Sequence, residues 1–196
     1  ELEFAIESGL EAIWVPHRAP HGKSPGHVDL EKFWALLAES GTPFLIHVGG
    51  APLQALKEWS NNGRAAVKDW MGGGENVRTK DAAVMHQPPE TFISMMVLDG
   101  VFDRNPKLRG AAVELGAGWV PSMLERLDWV ASTWGRNDAN LAGFTRTPTE
   151  QFTQQLAFTP FVFEDIGTFI DQSTPDLYLF SSDYPHIEGG RNPIAR

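Results

Sequence analysis

Three acidic or imidazole side chains sit where apolar runs stop, and their types suit metal or proton chemistry. Asp183 follows the short run 177–180 and two serines, and Pro185 then forbids regular pairing, with His186 three residues beyond the aspartate. His47 closes the run 44–47, and Glu114 closes 108–114. Imidazole nitrogen and carboxylate oxygen are ligand types that zinc or manganese accepts at neutral pH. A carboxylate at such a place can also take a proton from water. The plainer alternatives are a turn-capping Asp183, a satisfied core His47, and an ion pair between Glu114 and Arg109 or Arg126. A buried charge needs a partner in either case.

Other candidates lie in loops. Residues 17–28 hold three histidines, and the spacing of His17 and His21 is not a helical zinc motif because Pro20 intervenes. Contact with substrate and surface decoration are both open for this pair. Trp119 and Arg191 fall just past strand ends, where they could shape a pocket for an aromatic or anionic substrate.

The elements that must position these residues alternate. A helix over 2–8 closes at Gly9, a strand follows at 12–15, and Asp29 is the expected cap of a helix ending at Gly41. Strands are predicted at 43–48, 108–114, 159–163 and 177–180. Helices are predicted at 89–102, from Val120 past Val130, and from Glu164 onward, with 137–150 as polar loop. This rhythm is that of repeated βα units and a parallel sheet, whose carboxyl rim gathers residues distant in sequence. Residues 51–87 break the rhythm and read as a long excursion over the active-site face, with a short helix around 64–70. The triple glycine at 72–74 lacks the Lys-Ser/Thr of a phosphate loop.

Composition narrows the field. The 196 residues are 42% apolar, with 7 Trp and 12 Phe, enough for one globular domain over 1–196. A net charge of −9 argues against nucleic acid or anionic membrane as partner. The absence of cysteine leaves His, Asp and Glu as metal ligands. No apolar run approaches the roughly 20 residues of a membrane span, and no signal peptide is visible, so a cytoplasmic location is expected.

Four segments together resemble the amidohydrolase-related proteins, a branch of the metal-dependent amidohydrolase superfamily that includes aminocarboxymuconate-semialdehyde and γ-resorcylate decarboxylases. They are Phe44-Leu-Ile-His-Val-Gly49, Gly100-Val-Phe-Asp-Arg-Asn-Pro-Lys-Leu-Arg109, Glu114-Leu-Gly-Ala-Gly-Trp-Val-Pro121 and Phe180-Ser-Ser-Asp-Tyr-Pro-His-Ile-Glu-Gly189. The resemblance implies an α/β fold, a TIM (β/α)₈ barrel carrying a divalent metal at its carboxyl rim. By position, His47 matches the fifth-strand ligand and Asp183 the eighth-strand aspartate that holds metal or water and moves protons. His186 matches the histidine that follows that aspartate. Glu114 stands where the decarboxylases have a proton-handling histidine, a departure that tells against a decarboxylase; for Glu114 itself a second ligand, a proton-transfer group and a structural ion pair stay open.

The resemblance runs from about the fourth strand of that barrel to the eighth, without the His-x-His of the first strand. A partial barrel is therefore expected, incomplete at both ends, with an open sheet whose first strand has an unpaired edge. Such a fragment alone would be inactive. The parent is expected to be a hydrolase acting on a small organic substrate through a metal-activated water, with zinc the first choice of metal and manganese the second. It is expected to work as a homodimer. A carboxy-lyase acting on an unsaturated or aromatic acid is the alternative, and a non-catalytic barrel remnant is the alternative of another class.

Overall fold

The computed structural model describes residues 1–51, 57–65, 79–184 and 186. Its centre is a parallel sheet in the order β1 (Ile13–Trp14), β2 (Phe44–His47), β3 (Gly110–Val113), β4 (Leu156–Phe158). Registers run Ile13 to Phe44, Phe44 to Gly110, His47 to Val113 and Ala112 to Phe158. Successive side chains of a strand point to opposite faces. In β2 this buries Phe44 and Ile46 completely and leaves Leu45 and His47 half-buried on the other face.

The segments around and between the strands carry helices. Among the described residues they are α1 (Leu2–Glu7), α2 (Glu31–Ser40), α3 (Lys57–Ser60), α4 (Thr79–Val84), α5 (Gln87–Leu98), α6 (Val101–Arg104), α7 (Val120–Trp134), α8 (Pro148–Gln155) and α9 (Ile166–Gln172). None is long and apolar enough to cross a membrane. The apolar stripe of α7 (Val120, Met123, Leu124, Leu127) is buried, and Pro121 sits harmlessly in its first turn. An aromatic chain joins this layer to the sheet. Trp34 meets Phe44 edge-on at 5.4 Å, Phe102 lies 6.5 Å from Phe152, and Phe152 stacks on Phe158 at 6.1 Å. Burying each such ring stabilises the fold by roughly 1.5–3 kcal/mol. The Phe44 ring lies over Gly110 of the next strand, so close that a Cβ there would be 2.3 Å from it.

Several elements differ from the sequence expectation. Asp29 does not cap α2. It lies in a 3₁₀ turn whose cap is His27, the imidazole accepting from the Asp29 N–H, and its carboxylate pairs with Lys23. The helix expected over 89–102 is two helices, because Gly100 takes a left-handed φ of 75° between them. The polar stretch 137–150 ends in the start of α8, nucleated by a capping box between Thr147 and Glu150. The strand expected at 159–163 lies earlier, as β4. The strand expected at 177–180 is a 3₁₀ turn, Pro175–Leu177, followed by one parallel bridge from Tyr178 to Phe158. The helix expected around 64–70 lies almost wholly outside the described residues, and the triple glycine does so entirely. Among the described residues, no strand pairs with the outer edge of β1.

Candidate metal centre

The parallel register places His47 opposite Val113, so the residue after β3, Glu114, emerges at the same sheet end as the His47 imidazole. His47 Nε2 lies 2.7 Å from Glu114 Oε2. The other ring nitrogen, Nδ1, is 2.8 Å from the carbonyl of Val48. A carbonyl only accepts, so Nδ1 carries a hydrogen and Nε2 is the ring nitrogen left to meet the carboxylate. At that distance the two share either a second ring proton or a cation.

His186 and Asp183 complete the group. His186 Nδ1 is 3.2 Å from Asp183 Oδ1 and 3.6 Å from Glu114 Oε1. Ligand atoms of Glu114, Asp183 and His186 all lie within 4.8 Å of one another, and all three side chains are half-buried. The donor set that converges, one imidazole and two carboxylates, fits a divalent ion that takes nitrogen and oxygen ligands, and His47 borders it through Glu114. Arg126 instead pairs with Glu90, and Arg109 donates to the carbonyls of Pro106 and Leu108, so neither is the partner that a purely structural Glu114 would have had.

The backbone bends sharply to present these carboxylates. Glu114 has φ 57° and Asp183 φ 52°, left-handed conformations that cost a non-glycine residue of order 1–2 kcal/mol. The Asp183 turn closes with the His186 N–H donating to the Asp183 carbonyl at 2.8 Å. The Glu114 turn is held by groups that sequence inspection missed. The Glu114 N–H donates to Thr159 Oγ1 at 3.1 Å, and the carboxylate of Glu164 accepts from the backbone of the residues that follow. These contacts join a strand end to a loop about 45 residues later, so no local spacing announces them.

His17 is not surface decoration. It is 4% exposed, Nδ1 has no hydrogen-bond partner among the described residues, and a Cβ on Gly50 would lie 2.7 Å from that nitrogen. Burial, with the nearby His47 adding to it, pulls its pKa down to about 4. His21 is separate, lining an apolar pocket of about 470 Å³ with Arg18, Pro20, Phe33 and Trp34. Trp119, expected to shape a pocket past a strand end, is buried in the fold. Its ring is buried edge-on against Phe158, and Nε1 donates to the carbonyls of Leu115 and Gly116. Arg191 lies outside the described residues.

The chain was compared with known proteins. A family model described as amidohydrolase matches residues 3–194. No curated protein matches the sequence. An amidohydrolase structure from Mycobacterium avium subsp. paratuberculosis superposes with a TM-score of 0.73 at 25% identity, covering 98% of this chain and 47% of that one. The 2,6-dihydroxybenzoate decarboxylase from Rhizobium gives 0.63 at 20% identity, covering 94% and 55%. A dihydroxybenzoic acid decarboxylase from Polaromonas, solved with manganese and 2-nitroresorcinol, gives 0.52 at 19% identity, covering 83% and 45%. The chain thus spans about half the length of these structural relatives.

Proposed function

This chain belongs to the amidohydrolase family, its sheet forming an arc of that family's barrel, and from that premise we propose that the whole protein is a metal-dependent hydrolase of a small organic substrate. The observation that carries this is the convergence of Glu114, Asp183 and His186, whose ligand atoms lie within 4.8 Å of one another, with His47 Nε2 2.7 Å from Glu114 Oε2 beside them. His47, Glu114, Asp183 and His186 would hold the ion. When bound, a divalent cation supplies Lewis acidity that polarises a carbonyl oxygen and makes a neighbouring water more acidic. Zinc suits the mixed nitrogen and oxygen donors, and manganese, present in one structural relative, suits them as well.

The chain's own residues then have separate tasks. Asp183 takes the proton of the attacking water and returns it to the leaving group. His186, 3.2 Å from Asp183 Oδ1, orients that carboxylate. Val48, through its carbonyl, fixes the tautomer of His47. His17, buried with an uncommitted Nδ1 and neutral at pH 7, is suited to accept one hydrogen bond from substrate.

A carboxy-lyase is the second reading, because two of the structural relatives are decarboxylases of dihydroxybenzoates. Glu114 weighs against it, since it stands where the resemblance puts a proton-handling histidine. Product analysis on the full-length protein decides. Stripped of metal and reloaded with zinc or manganese, it should cleave members of a panel of esters, lactones and amides without releasing carbon dioxide. Carbon dioxide from hydroxybenzoates with no hydrolysed product would overturn the hydrolase in favour of the lyase.

A further inference from the structure

The geometry points to Glu164 as a positioning residue that sets the aim of Glu114 by clamping the turn that carries it; this rests on Glu114 being a metal ligand. Glu164 lies on the loop after β4, and its carboxylate collects backbone N–H groups from two rim loops. Ala117 donates to Oε1 at 3.2 Å and to Oε2 at 3.0 Å, Gly118 donates to Oε1 at 2.8 Å, and Phe161 donates to Oε2 at 2.7 Å. Hydrogen bonds to an ionised acceptor are among the stronger ones in proteins. The approach is close on both sides: a Cβ on Gly116 or Gly118 would lie 3.1 or 3.0 Å from Oε1.

What the clamp holds is a strained turn. Glu114 at φ 57° and Gly116 at φ 65° reverse the chain within three residues, and the reversal directs the Glu114 carboxylate to His47 and His186. A side chain that only filled space would leave the N–H groups of residues 117, 118 and 161 competing for water. Glutamine cannot replace the carboxylate, because Gly118 and Phe161 each need an acceptor and the amide offers only one oxygen. One of the two N–H groups would face the NH₂.

The experiment measures Mn²⁺ affinity by calorimetric titration, with melting temperature alongside, in full-length protein. Glu164→Ala should weaken Mn²⁺ binding by about 10- to 100-fold, the usual cost of losing a group that orients a ligand. Glu164→Gln, which keeps the volume, should weaken it less. Thr147→Ala, which removes the distant α8 cap, should lower the melting temperature without changing Mn²⁺ affinity. Glu114→Gln tests the underlying assignment. If it weakens Mn²⁺ binding while both Glu164 variants bind normally, the clamp is overturned and the site stands. If Glu114→Gln binds Mn²⁺ normally, the assignment and the clamp both fall. Failure of both Glu164 variants to fold would also overturn the proposal, leaving Glu164 a residue of the fold alone.

Discussion

The turn after β3 and the stretch around Asp183 each put a carboxylate on a left-handed backbone, yet they are supported very differently. The Glu114 turn is tied from three directions, by Thr159 Oγ1, by the Glu164 carboxylate and by the Trp119 indole N–H. Among the described residues, the Asp183 stretch joins the sheet at a β-bridge between Tyr178 and Phe158, where the Leu179 N–H donates to the Phe158 carbonyl at 2.9 Å. Phe180 and Tyr184 on either side of it are largely exposed. One carboxylate is thus held by a polar scaffold of its own, whereas the other takes its place from β4. The difference teaches that two carboxylates of one site can be positioned by different means, one by side-chain and backbone donors gathered from a neighbouring loop, the other by a strand bridge and a tight turn of its own.

The largest expected effect comes from the residue both halves share. Phe158 meets Trp119, stacks on Phe152 and carries the bridge to Tyr178. Phe158→Ala should destabilise by about 3–5 kcal/mol, read by denaturant unfolding. A loss below about 1 kcal/mol would mean that the two halves do not depend on β4. Next comes Asp183→Asn, which keeps the shape and removes the base. Turnover of the full-length enzyme should fall by at least ~10²-fold with an almost unchanged melting temperature. Retained turnover with full metal content would reduce Asp183 to a turn former.

Thr159→Val sharpens the comparison on the other side. It removes only the acceptor for the Glu114 N–H and should cost about 1–3 kcal/mol, the penalty for a buried donor left unmet. An equal loss on substituting an exposed residue of the Asp183 stretch would erase the contrast. The smallest effect is one of pH. His17 is held neutral, with its pKa near 4 against an ordinary 6.5, so between those values the unfolded chain binds more protons than the folded one. Its contribution to stability is therefore complete above pH 6.5 and is lost as pH falls toward 4. In melting curves across that window, His17→Asn should flatten the dependence, and an unchanged slope would contradict the burial.

How far the sequence reached depended on what each part was made of. β2 and β3 are apolar runs with a polar stop, and their ends were legible to within a residue or two. The helix α8 was not, because it buries Gln151 and Gln155 beside Phe152 where an apolar period would be sought. Its capping pair, Thr147 and Glu150, was the available sign. β4 was misplaced because the β-branched look of residues 159–163 outweighed Leu156–Phe158, although Pro160 cannot donate to a ladder. In the site, His47, Asp183 and Glu114 are legible as polar residues that end apolar runs, and the family resemblance adds roles for His47, Asp183 and His186. Glu164 was invisible because its partners are backbone N–H groups, which no residue type reports.

The Phe44 ring resting on Gly110 makes those two positions a lever on the candidate metal centre. β2 and β3 run in register, so whatever separates Phe44 from Gly110 is passed three residues along both strands to His47 and Val113. A methyl at 110 would wedge the strands apart at their amino ends. The consequence would be felt at the far ends, where the His47 to Glu114 distance is set. The tolerance of the His47 to Glu114 contact to substitution would then depend in part on an apolar contact at the opposite end of the two strands.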